Sequence, residues 1–213
     1  MSVRGTVSSS GVLFKLARTA YERTVNEKGE LDGGQMDALV SVVFSVCTLE
    51  ALAMDLQLYA TPFGPEAVVP QSIRELADIL DEAEESKGSV TLKYLLAKAV
   101  LPGEPFDKGA KPFQDFALLV RLRNDVVHMK PHVIKEEPTK IVAQLAQRDL
   151  CHPWDHMQVS SWVASVSTRA IARWACNVVV DMVEVIGKAI PQSQTPSCFL
   201  DMASWGWDYQ RVT

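Results

Sequence analysis

The stretch Arg121-Leu122-Arg123-Asn124-Asp125-Val126-Val127-His128 sets two guanidiniums, an amide, a carboxylate and an imidazole at the end of an otherwise apolar segment. A guanidinium can bind phosphate oxygens in a bidentate fork and an imidazole can move protons, so the residue types suit chemistry at a phosphate. On an unbroken helix Arg121, Asn124, Asp125 and His128 share one polar face, because spacings of three, four and seven return to the same side. Arg123 then points between Phe116 and Leu119, where a cation needs a carboxylate partner or an anionic ligand. Alternatively, the helix ends just after Asn124 and a turn carries His128 back towards Arg123. Arginine and histidine at a helix end also have a plainer use, as complements to the negative end of the helix dipole.

The elements that must position these residues are helical. The segment leading into the stretch begins near Pro112, a favourable first-turn residue, and Pro131 stops it within three residues of His128. Within it Phe113, Phe116, Ala117, Leu119, Val120 and Val127 are expected to pack inward, with Leu118, Leu122 and Val126 on an adjacent face. A second helix, from about Gln35 to Tyr59, is apolar on most of its circumference and belongs at the centre of a bundle. Its main stripe reads as Val40, Val43, Phe44, Cys47, Ala51, Met54 and Leu58, with Ser41, Thr48 and Asp55 grouped on the other side. Glu50 falls among Leu39, Val43, Val46, Ala53 and Met54 on this helix. A carboxylate there either reaches solvent at the helix edge or needs a cation, and Arg123 is the obvious mate.

The rest of the chain supplies scaffold. Helices are expected from Val12 to roughly Glu27, from a Ser72 cap with Glu75 completing a capping box to about Glu85, and from Thr91 to Leu101. Asn26 to Gly34 reads as a turn, Thr61 to Pro70 as a loop, and Asp81 to Glu85 as a solvated acidic face. Further on come a short helix from Glu136 to about Leu150 and a long one from about Gln158 to Ile190 through Trp162, Val163, Val166, Ala170, Trp174, Cys176 and Val179. No strand pattern, glycine-rich phosphate loop or internal repeat is present. The expected fold is all-α, with a flexible N-terminus at 1–11, one helical domain at 12–190 and an irregular tail at 191–213.

Composition sets the outer limits. With 47% apolar and 22% charged residues the chain has what a soluble globular domain needs. Its net charge of -5 means that any contact with nucleic acid must be local. Such a local patch exists: from Lys108 to Lys135 six cations (Lys108, Lys111, Arg121, Arg123, Lys130, Lys135) face two carboxylates, an excess of four. Cys47, Cys151, Cys176 and Cys198 form no C-x-x-C pair, which suits buried thiols in a reducing, cytoplasmic compartment. No secretory signal is expected at the start of the sequence, and the apolar run from Ala38 to Met54 falls short of the roughly 20 residues that span a bilayer. Cys151-His152-x3-His156 offers metal-ligand residue types, but a zinc site lacks its fourth ligand and Pro153 interrupts the helix that would align the histidines. Trp205, Trp207 and Tyr209 could stack bases; docking on the parent domain is the default for tail aromatics.

Arg123-Asn124-Asp125-Val126-Val127-His128 resembles the R-x4-6-H motif of the HEPN superfamily, in the form with a polar residue directly after the arginine. Arg121 also satisfies the looser spacing. The preceding apolar helix, the following proline and the isolated Glu50 on an earlier helix fit the same pattern. The resemblance implies a HEPN-like helical bundle with additional helices, paired as a homodimer so that two motifs face each other across a shared cleft. It implies a metal-independent endoribonuclease of prokaryotic defence or toxin–antitoxin systems, needing no cofactor, whose partners are RNA and a cognate antitoxin or regulatory protein. His128 would be the general acid or base, Arg123 would bind the scissile phosphate, Asn124 would orient one of them, and Asp125 and Glu50 would be supporting carboxylates. Arg121 and Lys130 would contact substrate. The alternative is a non-catalytic HEPN-like module that binds RNA or a partner protein. Lys130 stands where toxins of this superfamily often carry a tyrosine two residues beyond the histidine, so inactivation by adenylylation of that tyrosine is not expected here.

Overall fold

The computed structural model describes residues 9–25, 34–58, 69–129, 139–151, 162–190 and 209–213, and every regular element among them is an α-helix. In chain order these are α1 (Ser10–Arg23), α2 (Met36–Leu58), α3 (Gln71–Glu85), α4 (Val90–Val100), α5 (Phe113–Val127), α6 (Lys140–Ala146), α7 (Trp162–Val166) and α8 (Arg169–Ala189). The all-α expectation holds.

Because α2 is apolar nearly all round, it has to be covered nearly all round, and α1, α3, α4, α5 and α8 all pack against it. Its buried line runs through Ala38, Val42, Val46, Leu49, Leu52 and Leu56. This corrects the stripe read from the sequence: Val40 and Met54 are exposed, while Ser41, Thr48 and Asp55 are buried. A helix without a clear polar side gives periodicity nothing to orient it. These three polar groups are tolerated because they are satisfied. Thr48 Oγ1 donates to the Phe44 carbonyl at 2.7 Å, and Ser41 Oγ lies 3.4 Å from the Ala172 carbonyl of α8.

Asp55 does more. Its carboxylate accepts the backbone N–H groups of Ser9 (3.3 Å) and Ser10 (3.1 Å), satisfying free donors at the start of α1, where the N-cap side chain makes no such bond. The negative charge also complements that end of the helix dipole. At the other end of α1, Arg169 of α8 lies 4.3 Å over the Tyr21 ring and donates to the carbonyls of Thr24 (2.7 Å) and Tyr21 (3.3 Å). One charge from α2 and one from α8 therefore pin α1 at its two ends.

The last residues complete this layer. Tyr209 stacks on Phe14 with ring centroids 5.0 Å apart, and its hydroxyl lies 2.8 Å from Ser10 Oγ; burial pushes that phenol up to about 12. Asn177 grips the Val212 backbone, donating to its carbonyl at 3.2 Å and accepting from its N–H at 3.0 Å. Tyr209 thus docks on the parent domain as expected; Trp205 and Trp207 lie outside the described residues.

Further expectations change. The long terminal helix is divided, because Ser167 Oγ turns back to the Val163 carbonyl (2.6 Å) and Thr168 Oγ1 caps a new helix at Ile171 N (3.1 Å). The third helix starts at Gln71, one residue before Ser72; Pro70 holds the cap position with no side-chain bond, and its carbonyl accepts from Ile73 N and Arg74 N. Val127 is 50% exposed rather than inward, since it lies one turn beyond Arg123 at the edge of the bundle. Otherwise α5 buries the face expected of it: Phe116 and Leu122 are fully buried, and Tyr94 of α4 sits 4.9 Å from the Phe116 ring while donating to the Leu49 carbonyl at 3.1 Å. Met36–Gln57 is long and apolar enough, by length and composition, to cross a membrane, which the shorter run read from the sequence did not indicate; 56% of it is buried inside the bundle.

Replacing Asp55 by alanine should lower stability by about 1–3 kcal/mol, since two N–H groups at the start of α1 lose their acceptor. Urea unfolding and amide exchange in α1 check this; an unchanged midpoint would show that the cap carries no weight.

Candidate functional site

Helix α5 continues without interruption to Val127, and His128 closes it by donating its backbone N–H to the Asn124 carbonyl at 2.9 Å. The alternative in which the chain turns after Asn124 is therefore excluded. Helical phase decides the arrangement, and Arg121, Asn124, Asp125 and His128 are all exposed along one side. Arg123 lies roughly 140° around the axis from His128, at about 100° per residue.

On that other side Arg123 meets Glu50. Nη2 of Arg123 donates to Oε1 of Glu50, and the side chains keep 18% and 42% of their exposure, so the pair sits at the bundle edge rather than in its core. The sequence expectation that these two charges answer each other is met. Cys47, one turn before Glu50, reports on the pair: its thiol is raised above its ordinary value by burial first and by the Glu50 carboxylate second, against the lowering influence of Arg123. Met54, one turn after Glu50, and Val127, one turn after Arg123, are exposed apolar neighbours in sequence phase with the pair.

The His128 side of α5 opens onto a cleft of about 480 Å³. Asn124, Asp125 and His128 form one wall, and Thr139, Ile141 and Trp162 line the remainder with Met129. Further towards the start of α5 a second cleft, of about 200 Å³, is lined by Gln114, Leu118 and Arg121 from α5 and by Gln144 and Arg148 from α6 and the turn after it. Arg121 Nη2 donates to Gln144 Oε1 across this second cleft. Arg148 donates to the Gln144 carbonyl at 3.1 Å and to Gln114 Oε1 at 3.3 Å, and its Nε lies 3.4 Å from Oδ1 of the buried Asp115. Lys111 approaches the other oxygen of Asp115 at 3.1 Å.

Of the residues singled out from the sequence, Asn124, Asp125 and His128 come together at one cleft, Arg121 at its neighbour, and Arg123 with Glu50 on the far side of α5. Lys130 and Lys135 lie outside the described residues, as do His152 and His156. Cys151 is buried, its thiol pushed up to about 11 by that burial, and it points at the Val142 carbonyl at 3.7 Å, which keeps it a neutral core thiol. Sequence reasoning missed Ile141, Gln144, Arg148 and Trp162. The one available signal was the four-residue spacing of Gln144 and Arg148, which puts amide and guanidinium on one helical side.

Compared with protein-family models, curated proteins and solved structures, the chain finds no match.

Glu50→Gln and Arg123→Ala should each destabilise the protein, with a coupling in the double-mutant cycle on the order of 1–2 kcal/mol, between the values for exposed and for buried pairs. Additive effects in thermal unfolding would mean that the pair contributes nothing as a pair. The Cys47 thiol supplies a pH readout. Removing the Glu50 carboxylate should lower its pKa and speed alkylation at a fixed pH near 8, roughly the ordinary thiol range, whereas Arg123→Ala should raise it and slow the reaction. Rates followed at the Cys47 peptide by mass spectrometry would count against this if all three pH profiles coincided.

Proposed function

We propose that this protein is a HEPN-type, metal-independent endoribonuclease that works as a homodimer in the cytoplasm, in a prokaryotic defence or toxin–antitoxin setting. The observation that carries the reading is the division of the R-x4-6-H residues between two sides of α5. His128 with Asn124 lines an open cleft, while Arg123 is held beside Glu50 at an edge bordered by apolar residues. Within one chain, on the described geometry, the two functional groups point away from each other. Two copies apposed along α5 would bring the arginine of one to the histidine of the other, and the exposed Met54 and Val127 supply apolar surface for such a contact.

In that arrangement the chemistry is a transesterification within RNA. The ribose 2′-oxygen gives its proton to a base, attacks the adjacent phosphorus, and the bond to the 5′-oxygen breaks as that oxygen takes a proton. The products are a 2′,3′-cyclic phosphate and a 5′-hydroxyl. His128 is the group to move one of these protons, and Asn124 is placed one turn before it to orient it or the phosphate. Arg123 neutralises charge on the phosphate oxygens, and Glu50 fixes the guanidinium plane beforehand. Asp125 shares the His128 cleft as a supporting carboxylate; Arg121 and Lys130 are assigned to the RNA backbone. A cognate antitoxin or regulatory protein would hold the activity in check.

One observation favours a second reading, a non-catalytic HEPN-like module that binds RNA or a protein. Arg123 already has a carboxylate partner, and an arginine that stays with Glu50 is a fastener rather than a phosphate ligand.

Incubating wild type, Arg123→Ala and His128→Ala with total RNA in EDTA separates the two. The expected result is cleavage by wild type that leaves cyclic-phosphate ends and falls at least about 100-fold in each variant, the scale of a lost proton-transfer or charge-stabilising group. Full activity in His128→Ala would remove it from the catalytic role, and an inert wild type would favour the module.

A further inference from the structure

The two clefts lie end to end along one side of α5, in the groove between α5 and α6. Gln114, Leu118, Arg121, Asp125 and His128 follow each other at helical spacing along one side of α5. Across from them, Ile141 of α6 stands at the His128 end and Gln144 and Arg148 stand at the Arg121 end, so the two segments run antiparallel past each other. From Arg121 to His128 is seven residues, which at about 1.5 Å per residue makes the two ends roughly 10 Å apart along the axis.

The ends differ in chemistry. Beside His128 the walls are Met129, Ile141 and Trp162, with the Asn124 amide and the Asp125 carboxylate at the edge. That combination accepts a flat ring with polar edges. Beside Arg121 the groove is cationic and pre-shaped. Arg148 is fixed by Gln114, by the Gln144 carbonyl and by Asp115, whose charge is shared with Lys111, so two cations face one buried carboxylate, while Arg121 stands beside them with its bond going to Gln144 rather than to a carboxylate. Among the described residues Arg121 makes one hydrogen bond, through Nη2, which leaves Nε and Nη1 as donors for an incoming oxyanion.

We infer that this groove is a binding track for single-stranded RNA, in which a nucleobase occupies the apolar end beside His128 and the phosphate of a neighbouring nucleotide sits between Arg121 and Arg148. This rests on the ribonuclease reading above and adds to it a second contact point and a partner for Arg121. A strand in which rings alternate with phosphates matches a groove in which an apolar cleft adjoins a cationic one; an acidic peptide offers the charge without the ring. Gln144 positions Arg121 for the phosphate, and Arg148 supplies a charge already held in place.

The test is fluorescence anisotropy of the full chain with a labelled 2′-O-methyl RNA of mixed sequence, which cannot be cleaved, across a range of salt concentrations. Arg121→Gln should weaken binding about three- to tenfold and reduce the salt slope by about 0.7, the contribution of one phosphate contact on a single strand. Asp115→Asn/Arg148→Gln, which removes carboxylate and cation together, should behave likewise, and Lys188→Gln on exposed α8 surface should bind as wild type does. An abasic version of the strand should bind more weakly with an unchanged salt slope. Arg121 is exposed, so its substitution decides the matter even where the double variant unfolds. Unchanged affinity and slope in Arg121→Gln, with wild type still cleaving RNA in EDTA, would overturn the track and leave the nuclease reading standing. A wild type that neither binds nor cleaves RNA would overturn both.

Discussion

A carboxylate on the most apolar helix of a bundle has to be matched, and in this protein Arg123 of α5 matches it. Because α2 is covered by five other helices, the line carrying Glu50 is one of the few places where it reaches the surface. Closing that line with a guanidinium agrees with the rotation of α5 that buries Phe116, Leu119 and Leu122. Once Arg123 is turned towards α2, Arg121, Asn124, Asp125 and His128 must face the other way, along α6. The ion pair and the buried face of α5 together set the direction of every polar residue that the candidate site uses.

The same constraint explains why Arg123 and His128 lie on different sides of α5. A helix end can present a guanidinium and an imidazole together only when their spacing is close to a whole number of turns, and five residues is not. Evolution of a composite site on two copies would suit this geometry, since a two-fold axis beside α5 turns each half towards the other. The apolar residues around Glu50 and Arg123 would then be the contact surface and the polar groove along α6 the path for substrate.

Much of the architecture was legible in the sequence because it rests on local signals. Apolar periodicity located the helices, Pro112 and Pro131 bracketed α5, and two misplaced charges, Glu50 and Arg123, identified each other. What sequence could not reveal was which side of α2 faces inward. With apolar residues all round, the choice rests on whether Ser41, Thr48 and Asp55 find partners, and those partners are a neighbouring carbonyl, a turn of the same helix and the start of α1. The break between α7 and α8 was hidden for a similar reason: Ser167 and Thr168 look like ordinary helix residues until their hydroxyls bond backbone. In the candidate site, the polar face of α5 was readable from spacing, whereas Ile141, Trp162 and Arg148 come from segments that only tertiary packing brings to it.

If Arg123 and His128 act across two copies, mixing inactive variants restores activity. Arg123→Ala and His128→Ala proteins, each inert towards RNA in EDTA, should recover about a quarter of wild-type activity when unfolded together and refolded at equal concentration. Random pairing makes half the dimers mixed, and each mixed dimer carries one intact cleft of two. Mixed dimers that form and remain inert, or a wild type that cleaves RNA at full specific activity as a monomer, would contradict action across two copies.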